Sequence, residues 1–255
     1  QAFLVKGAKY DFGDYLRLQI DQQMYGLLDQ VEEAMTGTLP DDAIASYSDW
    51  MSDPEAARLY SESQHSGSLG PARTLDRMLD LSESRTLLDV GGGTGAFAIT
   101  LTASNPKLKA TVIDFPNVAV LGETYVAEAG LSDQVDFVHG DLLCTEWPKG
   151  QDILLMSYIL SSVPGDRIPE LIDRALAALN PGGRFIIHDF MVEPNREGPK
   201  LAALWQFQHT AFNPEAKSVS TDWVAAQMDE AGFAAIEGQE MIPGMTSISM
   251  GLRPM

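Results

Sequence analysis

The chain has 255 residues, 45% hydrophobic and 21% charged, enough for one sizeable core and too apolar for a disordered chain. Its 36 acidic residues against 17 Lys and Arg give a formal net charge of −19, a surface that repels phosphate backbones and anionic lipid and argues against nucleic acid or membrane partners. No apolar run approaches the roughly 18 residues of a membrane helix, and the single cysteine, Cys144, allows no internal disulfide, which fits a reducing cytoplasm.

Gln1-Ala-Phe-Leu-Val5 carries no signal-peptide pattern and reads as the interior of a longer chain. Leu16, Ile20, Met24, Leu27, Leu28, Val31 and Met35 then recur at spacings of three and four, which predicts a helix ended by Gly37 and Pro40. A second helix is expected from Pro54, a favoured first-turn residue, through Tyr60 to about His65, and a third carries Leu69, Ala72, Leu75, Met78 and Leu79. From Thr86 the pattern changes. Residues 86–90, 109–114, 135–139, 152–156 and 184–188 read as short apolar strands, with helices predicted over 96–103, 125–129 and 168–179. Pro181-Gly-Gly183 stops the last of these. This alternation predicts an α/β fold with a mostly parallel sheet covered on both faces. A helix over 222–231, stopped by Gly232, precedes two strand-like segments around Glu237-Gly238 and 246–251. The late hairpin completes a seven-stranded, Rossmann-like core. The expected organisation is a helical segment over 1–80, roofing a site built by 81–255.

The first predicted strand runs into Gly91-Gly-Gly-Thr-Gly95. In an open parallel sheet ligands bind beyond the carboxyl ends of the strands, where strand order reverses. Gly91, Gly93 and Gly95 let the backbone turn sharply and pass close to a ligand. Asp114, ending the second strand, is placed to accept hydrogen bonds from both hydroxyls of a ribose. The loop with Ala96 also satisfies the dinucleotide fingerprint, so it does not choose between cofactors by itself.

Three further features resemble class I methyltransferases: Asp89 two residues before the first glycine, Gly140-Asp141-Leu142-Leu143 after the third strand, and Leu179-Asn-Pro-Gly-Gly183 before the fifth. Leu87-Leu-Asp-Val-Gly-Gly-Gly-Thr-Gly95 with Val112-Ile-Asp-Phe-Pro116 is similar to the small-molecule O-methyltransferases of the hydroxyindole and caffeate type, from about residue 10 to the end. That resemblance implies S-adenosylmethionine as cofactor, S-adenosylhomocysteine as product and a small-molecule methyl acceptor. It also implies a winged-helix dimerisation domain ahead of this stretch and a homodimer in the intact protein. Asp114 is implied at the ribose, Asp141 and Leu142 at the adenine, Ser157 beside the cofactor, and Phe115 among the cofactor-binding residues. No His or Cys pair has metal-ligand spacing, so no metal is expected.

One position departs from the family. Where its members carry a His-Asp pair whose histidine takes the acceptor's proton, this chain has Tyr158-Ile-Leu-Ser161-Ser-Val-Pro164. A serine hydroxyl with ordinary acidity cannot do that task. Either His65, His188 or His209 supplies the base, or the reaction needs none. A thioether sulfur has no proton to lose, and methylation turns it directly into a sulfonium that aromatic faces stabilise. Tyr10-Asp-Phe-Gly-Asp-Tyr-Leu-Arg-Leu-Gln19, His188-Asp-Phe-Met-Val192 and Leu201-Ala-Ala-Leu-Trp-Gln-Phe-Gln-His-Thr210 resemble bacterial methylthiohydroxybutyrate S-methyltransferases. This second resemblance implies S-methylation of 4-methylthio-2-hydroxybutyrate, a step of dimethylsulfoniopropionate biosynthesis. A non-catalytic cofactor-binding scaffold is the remaining alternative.

For the acceptor, Tyr60, Gln64 and His65 fall within one predicted helix, and Trp205, Gln208, His209 and Phe212 share another helical face. His188 and Asp189 end the fifth strand on the ligand side of the sheet. Arg17, Arg58, Arg73 and Arg196 are all candidates for a carboxylate partner, and spacing does not choose among them.

Overall fold

The predicted alternation yields seven strands in the computed structural model, which describes residue 5 and residues 12–22, 24–39, 47–213 and 215–255. They are β1 (Thr86–Val90), β2 (Lys109–Asp114), β3 (Val135–His139), β4 (Gln151–Ser157), β5 (Leu179–Asp189), β6 (Ala234–Ile242) and β7 (Thr246–Leu252). One sheet orders them β3-β2-β1-β4-β5-β7-β6. The first five run parallel, and β7 enters antiparallel between β5 and β6. This is the seven-stranded Rossmann-like core expected from the sequence. Strand order reverses between β1 and β4, so the ligand crevice lies beyond their carboxyl ends.

Side chains that alternate along the strands feed two apolar layers. On one face Leu88, Val90, Leu154, Met156, Phe185 and Ile187 pack against α8 (Ile168–Ala178) and α10 (Thr221–Ala231). On the other, Leu87, Val112, Ile153, Leu155 and Ile186 meet α5 (Pro54–Met78) and α6 (Ala96–Ser104). Phe185 is fully buried and stacks on Phe233 with ring centroids 5.3 Å apart. Phe185→Ala is therefore expected to cost about 3–5 kcal/mol by emptying a packed site. A loss of unfolding free energy below about 1 kcal/mol in denaturant titration would show that β5 is not the centre of the core.

The helical segment departs from the expectation in two places. The single helix expected across 16–35 is α1 (Gly13–Leu16), a π-helical turn Arg17–Gln22, α2 (Met24–Leu28) and α3 (Val31–Thr36). The wider π turn shifts later residues around the axis, so the three-and-four stripe loses its common face: Leu28 and Met35 are exposed. Gly37 closes α3 in the left-handed region with φ 70°. Pro40 and the side chains of Ile20, Met24 and Leu27 lie outside the described residues.

Conversely, the second and third predicted helices are one, the 25-residue α5. Asp53 caps it by accepting a hydrogen bond from the Ala56 amide at 2.7 Å. Pro71 removes one internal N–H, and burial of Ala57, Ala72 and Leu75 along the helix offsets that cost. Gly67 has a packing reason: a Cβ there would meet the Tyr15 ring at 3.0 Å. α5 thus passes unbroken over the crevice. The remaining α-helices among the described residues are α4 (Tyr47–Ser52), α7 (Pro116–Glu128) and α9 (Lys200–Phe212). α7 starts nine residues ahead of the expected 125, because Pro116 suits a first turn.

Candidate active site

Three glycines with positive φ, Gly91 (65°), Gly93 (60°) and Gly95 (79°), carry the chain from β1 into α6. Gly91 must lack a side chain, since a Cβ would come within 2.2 Å of Ile159 Cδ1. Gly93 faces open space, with nothing within 4 Å of a Cβ, and its backbone N–H is tied to Asp114 Oδ2 at 2.7 Å. Asp114 Oδ1 accepts from the Phe115 amide at 2.8 Å. Both oxygens keep further lone pairs for a ligand. Burial, opposed by those two amides, pushes the Asp114 carboxyl up to about 6.

Asp89 lies fully buried beneath this loop, and neither of its oxygens completes a hydrogen bond among the described residues. Burial first, then the neighbouring Asp114 charge, pushes it up to about 7, with the Ala98 amide pulling weakly the other way. The spare lone pairs of Asp114 fit a ligand that brings hydroxyl donors, and the two buried acids together favour one that brings positive charge.

Above the loop is a cavity of about 600 Å³ lined by Gly91, Gly93, Asp114, Phe115, Asp141, Leu142 and Ser157, with Met51, His65 and Thr94 from the roof and the loop. Seven of the nine residues expected at the cofactor therefore border it. Asp89 and Gly95 support it from behind, Gly95 as the residue preceding the first turn of α6. Asp141 also ties its own turn, accepting the Leu143 amide at 2.8 Å. A nucleoside cofactor with a sulfonium fits this donor set: carboxylates for hydroxyls, an apolar wall from Leu142 and Leu143, and a loop that a Cβ would fill.

A second cavity of about 390 Å³ adjoins it, and Tyr60, Gln64, Ser68, Tyr158 and Ser162 line both. Its walls include Trp205, Gln208 and His209 from α9, Phe190, and Tyr15. Phe190 stacks on Trp205 at 4.4 Å and on Tyr158 at 5.1 Å, forming one aromatic wall. The buried Gln208 Nε2 has no hydrogen-bond partner among the described residues. Of the four arginines considered for a carboxylate, Arg73 borders this chamber. Arg17 pairs with Glu62 at 3.0 Å and Arg58 with Glu62 at 2.8 Å. The Phe212 side chain lies outside the described residues.

The three candidate histidines separate clearly. His65 is on the cofactor side, its Nδ1 2.7 Å from Thr94 Oγ1 and its ring against Tyr125, and burial lowers it to about 4. His188 lines neither chamber: its ring is covered by those of Phe97 and Tyr158. Its Nδ1 sits 2.8 Å from Ser157 Oγ, and burial lowers it to about 3. Asp189, fully buried, also lines neither chamber. Both were expected at the substrate; the Phe97 and Tyr158 rings cover His188, and Ser161, hydrogen-bonded to Asp189, stands between that carboxylate and the chamber. His209 alone of the three borders the acceptor chamber, lowered to about 4 by burial.

Tyr158, Phe190 and Ser162 were not singled out from the sequence. Tyr158 adopts φ 62°, rare for a residue with a side chain. That bend turns the chain after β4 so that Ile159 reaches the glycine loop while Ser161 and Ser162 reach the acceptor chamber. No motif announces such a conformation.

A nucleotide-type crevice at the strand switch, opening into a separate aromatic chamber, defines the class I methyltransferase architecture. The chain belongs to the O-methyltransferase domain family, whose model matches residues 27–234. It is 32% identical over 206 residues to the 3-hydroxy-5-methyl-1-naphthoate 3-O-methyltransferase of Streptomyces sahachiroi, covering 79% of this chain and 59% of that protein. With the L-tyrosine C(3)-methyltransferase of Streptomyces lavendulae it shares 34% identity over 175 residues, 68% of this chain and 48% of that protein. The chain thus spans roughly half to three-fifths of these curated relatives. Its fold matches human N-acetylserotonin methyltransferase, solved in complex with S-adenosylmethionine, with TM-score 0.83 and 19% identity over 100% of this chain and 74% of that one.

Proposed function

We propose that this chain carries out S-adenosylmethionine-dependent methylation of a hydroxyl on a small molecule. The observation that carries the reading is the pair of joined chambers, with Asp114 and Asp141 on one side and the aromatic wall on the other. Family membership favours a hydroxyl acceptor. When bound, the cofactor supplies an electrophilic methyl group on a sulfonium and leaves as S-adenosylhomocysteine. The chain's own part is alignment and exclusion of water at the junction formed by Tyr60, Gln64, Tyr158 and Ser162. His209, neutral because burial lowers it to about 4, is suited to orienting the acceptor by a hydrogen bond rather than to holding its proton.

Ser161 and the aromatic wall support a second reading, S-methylation of a thioether such as 4-methylthio-2-hydroxybutyrate, which releases no proton. Incubation with S-adenosylmethionine and parallel panels of phenols and thioethers, followed by mass spectrometry, separates the two. Methyl ether products support the first reading, and sulfonium products alone would replace it with the second. Under the first, His209→Ala is expected to raise KM about 3- to 10-fold, the loss of one hydrogen bond, with kcat within about 3-fold. A collapse of kcat at unchanged KM would instead make His209 the base. A cytoplasmic homodimer is part of the proposal for the intact protein, resting on the lone cysteine and the family resemblance. Sedimentation of that protein tests its oligomeric state.

A further inference from the structure

The family's base is replaced here by Ser161, and the structure says what stands behind it. Ser161 is 3% exposed, borders the acceptor chamber, and donates its hydroxyl hydrogen to Asp189 Oδ1 at 2.9 Å. The Ser161 amide donates to Asp189 Oδ2 at 3.2 Å, and the Phe190 amide to Oδ1 at 2.8 Å. Asp189 is 0% exposed and reaches the chamber through that hydroxyl. A hydroxyl whose hydrogen is committed to a carboxylate presents its lone pairs to whatever lies on its other side. In this chamber that neighbour is the acceptor.

We propose that Ser161 and Asp189 form a proton relay: the acceptor's O–H donates to Ser161 Oγ, and Asp189 is the final proton holder. This rests on the hydroxyl reading above. As the acceptor oxygen forms its bond to the transferred methyl, the methyl–sulfur bond breaks and its electron pair stays on sulfur. The acceptor's proton passes to Ser161 Oγ while Ser161 passes its own to Asp189 Oδ1. The sulfonium charge and the carboxylate charge disappear together, leaving a neutral ether, a neutral thioether and a carboxylic acid. Ser161 is regenerated, and Asp189 returns its proton to solvent after product leaves. A serine by itself fails as a base because it must hold a positive charge; coupled to a carboxylate it never does. The relay also suits a dry chamber, where it removes charge instead of separating it. Burial holds Asp189 up at about 6 against the pull of its amide donors, which makes it a better proton acceptor than an exposed aspartate.

The first test needs no turnover. Titration calorimetry on the chain saturated with S-adenosylhomocysteine compares 1-naphthol with 1-methoxynaphthalene, which has no O–H to donate. Ser161→Ala is expected to weaken 1-naphthol about 3- to 10-fold, one hydrogen bond, and to leave the ether unchanged. The second test uses the rate with acceptors of different acidity. For 1-naphthol, Ser161→Ala should lower kcat about 100-fold or more, within the range general-base catalysis supplies. For 4-nitro-1-naphthol, already ionised at mildly alkaline pH, the loss should shrink to a few-fold, and Ser161→Thr should restore most of the 1-naphthol rate. Equal losses with both acceptors would mark Ser161 as a packing residue and overturn the relay. So would an unchanged rate in Ser161→Ala. If the wild-type chain forms sulfonium products and no methyl ether, the hydroxyl reading itself has failed, an outcome visible before any variant is made.

Discussion

Replacing Asp114 with alanine is expected to weaken S-adenosylhomocysteine binding by about 100-fold or more, with little loss of fold. The carboxylate does two things at once. Its Oδ2 holds the Gly93 amide and its Oδ1 the Phe115 amide, which fixes the loop at φ 60° where the cofactor passes. Its remaining lone pairs face the cavity and suit a pair of ribose hydroxyls. Hydrogen bonds to a charged group contribute about 1.5–3 kcal/mol each, and losing two of them reaches about 3 kcal/mol or more, hence the factor of 100. Asp114→Asn is not a mild control. An amide can accept from only one of the two backbone N–H groups and turns its own NH2 toward the other, so it should fall near alanine. Calorimetric titration with S-adenosylhomocysteine checks both variants, and circular dichroism checks the fold. Affinity within about 5-fold of wild type would mean that the ribose is held elsewhere.

What the sequence could disclose follows from how local each signal is. Asp114 was legible because a strand end, an acid and a glycine loop at a fixed distance all lie in one stretch of chain. The same holds for Gly91 and Asp141 at the tips of β1 and β3. The mostly parallel sheet with its late hairpin was legible from short strand-like segments alternating with helices, but the strand order comes from the fold. By contrast, α5 was divided in two after about His65, and its continuity goes with packing such as the Tyr15 ring against Gly67, which no spacing announces. His188 and Asp189 were placed at the substrate because they end a strand on the ligand side. That argument cannot see the Phe97 and Tyr158 rings that cover His188, or the Ser161 that stands before Asp189. Tyr158 and Phe190, which wall the acceptor chamber, depend on a positive φ and on a stack with α9. Both are non-local, and nothing in the spacing carries them. Ser161 was read as standing where the family carries a base, and its partner Asp189, 28 residues away, becomes visible only in the fold.

The buried acids lead to a dependence on pH that an exposed site would not have. Asp89 is pushed up to about 7 and Asp114 to about 6, burial being the first cause of each. An acid whose pKa is raised by folding binds more protons folded than unfolded. Stability of the free chain therefore falls as pH rises from the ordinary carboxylate range toward 7. Cofactor affinity must run the other way. A ligand that donates hydroxyls and carries a sulfonium favours the ionised forms, so its binding lowers both pKa values and expels protons. The dissociation constant of S-adenosylmethionine is expected to fall as pH rises from about 5.5 to about 7.5, approaching tenfold per unit where one group dominates. His65, on the roof of the cavity, is held at about 4 and stays neutral across this window, and the Asp141 charge raises Asp114. Titration calorimetry in two buffers of different ionisation enthalpy counts the released protons directly. Asp89→Asn should flatten the upper part of the profile and remove the corresponding proton, while the neutral sulfur of S-adenosylhomocysteine should give a shallower slope than the sulfonium. A pH-independent affinity with no proton release would show that both carboxylates are already ionised in the free chain, and that something other than burial governs the floor of this site.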